Sequence, residues 1–173
     1  MRTAPNNLST TIDKCLQELE KYSLTQIAIK YDLRKWSLGQ MFLHVIESTD
    51  FFLDNVESCL TDRQNAEEPT TDRAGKVFSE NELPDIEIVG PASNDLTPQP
   101  ERIESLREGL TSLKQRAVII REKLVGDPPS GKVKHPGLGY FDAAQWYHFA
   151  DIHVRHHLRQ LPRMEAKINR GLE

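Results

Sequence analysis

Residues 148–160 read HFADIHVRHHLRQ and hold four of the chain's six histidines. On a helix, at about 100° per residue with His153 as origin, Trp146 falls near 20°, Phe149 near −40°, His157 near 40°, Gln160 near −20° and Met164 near 20°. Large apolar side chains thus share a face with His153 and His157, so these two imidazoles are predicted to look into a core. His156 falls at the edge of that face, near −60°, and His148 points well away from it. Asp142, with Gln145 three residues on, supplies a capping box for the start of this helix. Pro162 lies inside the run and predicts a kink or a break near Leu158, whose carbonyl loses its donor.

Three further segments carry the helical period. In LSTTIDKCLQELEKY, residues 8–22, Ile12, Cys15, Leu16, Leu19 and Tyr22 recur at the three-four spacing of one apolar face, so a helix is expected from about Ser9 into the twenties. The next starts at WSLGQ, where Ser37 can cap and Gln40 can reach back. Leu38, Met41, Phe42, Val45, Thr49, Phe52, Leu53 and Val56 form its broad apolar stripe, and His44 sits on the flank, about 120° from the centre. A third helix is predicted with Thr97 as cap and Pro98 in its first turn, facing inward through Ile103, Leu106, Leu110, Leu113, Ala117 and Ile120. GDPPSGKVKHPGLGY, residues 126–140, ends it, because its prolines and glycines cannot extend a helix.

Between the second and third helices, residues 65–98 turn to Pro, Gly, Asn, Asp and Thr and read as a long irregular connection. Such connections are uncommon in compact domains unless they cover a site or join elements that lie parallel. Only IEIV, residues 86–89, has the character of a short strand. Four amphipathic helices with one long crossover predict an all-α, up-down four-helix bundle occupying residues 1–173 as one domain.

Composition narrows the function classes. A net charge of −4 gives no general attraction to nucleic acid or anionic lipid. The row Arg155, Arg159, Arg163, Lys167 and Arg170 is expected to complement the helix C-terminus rather than bind a polyanion. No apolar run approaches the length of a membrane span, and the opening MRTAPNNLSTTIDK lacks a secretory signal, so a soluble cytoplasmic protein is expected. Cys15 and Cys59 fall on or beside apolar stripes and are expected to be buried thiols.

Two histidines four residues apart on one face have side-chain bases roughly 5–6 Å apart, which lets both rings close on one metal ion. Two hydrogen-bonded core histidines would show the same spacing. A third ring from another helix tips this balance, and His44 is the candidate because its flank position looks into a groove between neighbouring helices. Around these three, Gln160 faces inward and can hydrogen-bond a ring, His156 could shuttle protons from the rim or sit at a helix interface, and Glu47 could support the site or carry a solvated charge. His135, before a proline in a turn, could approach from the loop.

KWSLGQMFLHVIES at residues 35–48, followed by HPGLGYFDAAQWYHFADIHVRHHLRQ at residues 135–160, resembles the DinB/YfiT-like superfamily of metalloenzymes. Within it, the likeness is to a branch with an HP-x-x-G turn, a Trp and a terminal HHLRQ, and it runs from about Leu8 to Arg163. The resemblance implies a four-helix bundle holding a divalent metal on His44, His153 and His157, with zinc the first choice and nickel or iron also compatible. It further implies a small-molecule substrate such as a low-molecular-weight thiol, and homodimers are common among relatives. LPRM follows HHLRQ here where the branch often has an apolar residue and Gly, so a different bend at the end of the last helix is expected.

Three neutral imidazoles leave a divalent ion its full charge and an open position, the arrangement of a catalytic site. Such an ion lowers the pKa of bound water to about 7 or holds a thiol as thiolate. The expected activity is therefore metal-dependent hydrolysis or thiol S-transfer. The alternative is a non-enzymatic metal-binding or stress-related bundle, which a fourth protein ligand would favour.

Overall fold

The computed structural model describes residues 7–84, 96–126 and 128–171. In chain order the elements are α1 (Leu8–Leu19), α2 (Leu24–Ile27), α3 (Leu38–Thr61), α4 (Asp72–Glu80), α5 (Ile103–Lys123), β1 (Lys132–His135), β2 (Gly139–Asp142) and α6 (Ala143–Gly171). The four long helices are the ones expected from periodicity. α3 packs on α5 and α6, and α1 packs on the same two from the other side. Leu8, Ile12, Cys15 and Leu19 of α1 meet Leu106, Leu110, Leu113 and Ala117 of α5 and the buried face of α6 in one apolar core. Each large side chain buried in this way contributes roughly 1.5–3 kcal/mol.

Side-chain pairs give the directions. Arg116 reaches Asp50, Asp54 and Glu57, and Lys123 reaches Glu57, so α3 and α5 run parallel. Thr11 meets Asp151 and Tyr22 meets Glu165, so α1 and α6 also run parallel. The order is up, down, down, up, and the long connection between α3 and α5 makes the crossover that parallel neighbours require.

That connection is not wholly irregular, which corrects the expectation for residues 65–98. Thr71 caps the nine-residue α4 by accepting from the Ala74 N–H at 3.2 Å, and α4 buries Ala74 and Val77. Its short length and polar composition hid it. IEIV lies outside the described residues.

The third long helix also starts later than expected. Its cap is Arg102, and Thr97 instead gives its carbonyl to Gln40 Nε2 at 2.5 Å. Pro100 disfavours the helical conformation at Gln99, so the helix cannot begin at Pro98 and run on.

A third correction concerns residues 132–142, where β1 and β2 form an antiparallel hairpin that pairs Val133 with Phe141 and His135 with Gly139. Four-residue strands are too short to show alternation. Gly139 has φ +81°, and a Cβ there would lie 2.9 Å from the Pro69 carbonyl oxygen and from the Thr71 nitrogen. Only glycine lets the crossover approach the hairpin so closely.

α6 starts with the expected box: Asp142 Oδ1 accepts from the Gln145 N–H at 2.8 Å, and Gln145 Oε1 accepts from the Asp142 N–H at 2.9 Å. Pro162 does not break it, and the helix continues to Gly171. Leu161 and Ile168, buried on either side of the proline, hold the helix to the bundle against the lost backbone bond.

Candidate metal centre

The site is built from two helix starts. The Ser37–Gln40 box fixes the beginning of α3, with Ser37 Oγ accepting from the Gln40 N–H at 3.1 Å and Gln40 Oε1 from the Ser37 N–H at 3.2 Å. His44 follows four residues after Gln40 on the flank that faces α6. The Asp142–Gln145 box sets the register of α6, which turns His153 and His157 toward α3. Because α3 and α6 are antiparallel, His44 meets both.

The ring centroids of His44 lie 5.2 Å from His153 and 4.9 Å from His157, and those of His153 and His157 are 4.6 Å apart. One nitrogen from each of the three rings falls within 4.8 Å of the other two. The wheel's choice of two histidines out of four clustered ones therefore matches the packing. His157 is buried, while His44 and His153 keep partial access to solvent, so the cluster is open on one side.

Hydrogen bonds to the outer nitrogens favour one tautomer of two of the rings. His157 Nδ1 donates to Gln160 Oε1 at 3.0 Å. Ser48 Oγ spends its own proton on the His44 carbonyl at 2.6 Å and so receives that of His153 Nδ1 at 3.4 Å. Both rings then present bare Nε2 lone pairs, and these two atoms are 3.3 Å apart. Facing lone pairs repel unless a cation lies between them. Tetrahedral zinc with Zn–N bonds of about 2.0–2.1 Å sets neighbouring nitrogens about 3.3–3.4 Å apart. The three-imidazole donor set and the spacing of its His153–His157 pair fit such an ion.

Electrostatics favour the neutral rings that a metal needs. Burial pushes the His44 imidazole from 6.5 down to about 4. Burial, with the nearby His44 and His156 rings, pushes His157 down to about 3. His153 is held well below its ordinary value, by burial first and then by His157 and His44. Desolvation disfavours the cation in each case.

The remaining candidates separate clearly. Gln160 faces inward as expected and donates through Nε2 to His156 Nε2 at 2.9 Å, so one amide joins two rings. His156 is buried, at 3 % exposure, rather than at the rim, with its ring against that of His157. Glu47 is exposed, and no carboxylate among the described residues shares the three-ring cluster. His135 does not join it either. Its ring packs on Phe141, Trp146 and Phe149, and its Nδ1 accepts from the Gly137 N–H at 3.1 Å. His148 points away, against Phe78 and onto Asn81 Oδ1 at 2.7 Å.

Two contributors were missed from sequence. Trp36 packs its ring 4.7 Å from that of His44, and Ser48 supports His153. Ser48 stands one helical turn after His44 on the same flank, which was the available signal. The basic row of α6 is largely engaged: Arg155 with Asp151 and Asn81, Arg159 with the Leu83 carbonyl and Glu82, and Lys167 over Tyr31.

The DinB superfamily model matches residues 7–161. The chain belongs to the DinB superfamily. The match runs from the cap of α1 through about two thirds of α6 and so includes all three clustered histidines. No curated protein and no solved structure matches the chain significantly. For this DinB-superfamily member, no described helix is long and apolar enough to cross a membrane.

Proposed function

We propose that His44, His153 and His157 hold a divalent metal ion, zinc before nickel or iron, and that the centre is catalytic and activates a small thiol for S-transfer. The observation that carries the reading is the convergence of three imidazoles from two helices, with one nitrogen of each within 4.8 Å of the other two. Membership of a superfamily associated with metal centres supports the same assignment. When bound, a divalent ion at three neutral donors supplies Lewis acidity that makes a water or thiol proton acidic.

The residues around the cluster favour thiol over water. A hydrolase needs a positioned proton acceptor, but no carboxylate among the described residues joins the three rings, and Glu47, one turn beyond His44, is exposed. A thiol that has lost its proton to solvent is already the nucleophile. Ser48 and Gln160 hold His153 and His157 by their outer nitrogens, while Trp36 covers His44. Hydrolysis is the second reading, and a bundle that only binds metal is the third.

Elemental analysis of the purified protein beside His44→Ala, His153→Ala and His157→Ala tests the site. About one equivalent of metal in the parent and strong loss in each variant is expected; equal content in all four would remove the assignment. Conjugation of an electrophile to small thiols, measured beside ester and amide hydrolysis, tests the reaction. Turnover confined to hydrolysis would reverse the preference for thiol.

A further inference from the structure

A cavity of about 380 Å³ opens where the α1–α2 connection meets the start of α3 and the last turns of α6. Buried Leu38 and Ile168 line it together with half-buried Ile29, Tyr22 and Glu165. None of the three clustered histidines reaches it, and along α6 Glu165 stands about 12 Å beyond His157 by helical rise. Glu165 is the one acid of the lining. Its carboxylate accepts from the Tyr22 hydroxyl, and no lysine or arginine among the described residues forms an ion pair with it. The cations around it are engaged elsewhere: Lys21 holds both oxygens of Glu18 at 2.7 and 2.8 Å, Lys167 lies over the Tyr31 ring at 5.0 Å, and Arg170 Nε donates to the Ala166 carbonyl at 3.1 Å. Burial first, and then the bond to Glu165, raise the Tyr22 phenol well above its ordinary range, so Tyr22 keeps its proton and remains the donor. A carboxylate drawn partly out of water gains from a cation beside it, and here the protein supplies none.

We propose that this cavity is a second ligand site, separate from the metal centre, and that it takes a small primary amine as its ammonium ion, with Glu165 as the counter-charge. Small-molecule sites are typically cavities of this size, mostly apolar with a few convergent polar groups. An ammonium has three donors and no acceptor, and the lining meets it with acceptors. The Glu165 carboxylate keeps lone pairs beyond the one given to Tyr22, and the Asn169 side chain offers a further carbonyl. Ile29, Leu38 and Ile168 provide the apolar surface for a short carbon body. The same carboxylate repels an anion, and a neutral ligand leaves it without a partner charge.

The test titrates the full-length chain at neutral pH with hexylamine, hexan-1-ol and hexanoate, three probes that share a carbon body and differ in charge. Dissociation constants come from amide chemical shifts. Hexylammonium is expected to bind the parent about tenfold or more tightly than hexanol, and hexanoate not at all. In Glu165→Gln, which keeps the shape of the side chain, that preference falls to about twofold or less, with the hexanol constant unchanged. Tyr22→Phe leaves the carboxylate in place and keeps the preference for the amine. Equal affinities of amine and alcohol for the parent, absence of binding by both, or an amine preference that survives Glu165→Gln would each overturn the site. An amine can also ligate a metal, so the titration is repeated on His44→Ala, where binding is expected to persist. Binding lost in His44→Ala but retained in Glu165→Gln would place the amine on the three-histidine centre and overturn the second site.

Discussion

Gln160 Oε1 lies 3.0 Å from His157 Nδ1, one helical turn away on the same face of α6. The carboxamide accepts the outer proton of the ring and so keeps the inner nitrogen bare. Its own Nε2 is held by His156, which stops the amide from rotating. A half-buried, doubly anchored amide of this kind orients the ring at which it is aimed.

Gln160→Ala is therefore expected to weaken metal affinity by about 10–100-fold, the usual cost of losing a partner behind a ligating imidazole. Chelator competition measures it. Ser48→Ala should cost less, because its 3.4 Å bond to His153 is longer. A Gln160→Ala chain with parental affinity would show that packing alone holds His157.

Acid should unfold the metal-free protein early. His44 and His157 titrate near 4 and 3 in the folded chain, against 6.5 in the unfolded one. Between those values the unfolded chain binds more protons, so stability rises with pH. The contribution is complete above about 6.5 and is lost as pH falls toward the folded values. Urea midpoints of the apo protein from pH 7 to pH 4 should fall steadily. His157→Phe, which has no proton to bind there, should flatten the slope.

Asp151 is the principal buried anion of the bundle, 2 % exposed between the Thr11 hydroxyl at 2.5 Å and Arg155 Nε at 2.9 Å. Removing the carboxylate leaves a buried hydroxyl and a half-buried guanidinium without it. Asp151→Ala is expected to cost about 3 kcal/mol in urea unfolding. The loss should be independent of metal, since Asp151 faces α1 and the crossover rather than the three rings.

Both cysteines should be silent to thiol reagents until the chain unfolds. Burial pushes Cys15 up to about 12 and Cys59 up to about 11, and both are free and buried. At pH 8 almost no thiolate exists at either position. Release from a chromogenic disulfide should be near zero in buffer and about two equivalents in strong denaturant. Fast native labelling would show local opening of α1 or of the α3 end.

Much of this molecule was legible from the chain alone. Apolar periodicity placed the four long helices, the Ser37–Gln40 and Asp142–Gln145 boxes fixed two of their starts, and the angle between His153 and His157 selected them from their neighbours. These are local quantities: a helix start and a side-chain direction depend on residues within a turn or two. The late start of α5, the short α4 and the hairpin were not local in this sense. Thr97 gives its carbonyl to Gln40, Gly139 admits the backbone of Pro69 and Thr71, and the pairing of Val133 with Phe141 is held by a turn rather than by alternation. The distance from His44 to His153 and His157, the burial of His156 and the supporting bond from Ser48 likewise depend on how α3 crosses α6. Periodicity tells which face of a helix is buried. Only the packing of one helix against another tells what that face meets, because contact energy belongs to pairs of surfaces distant in sequence.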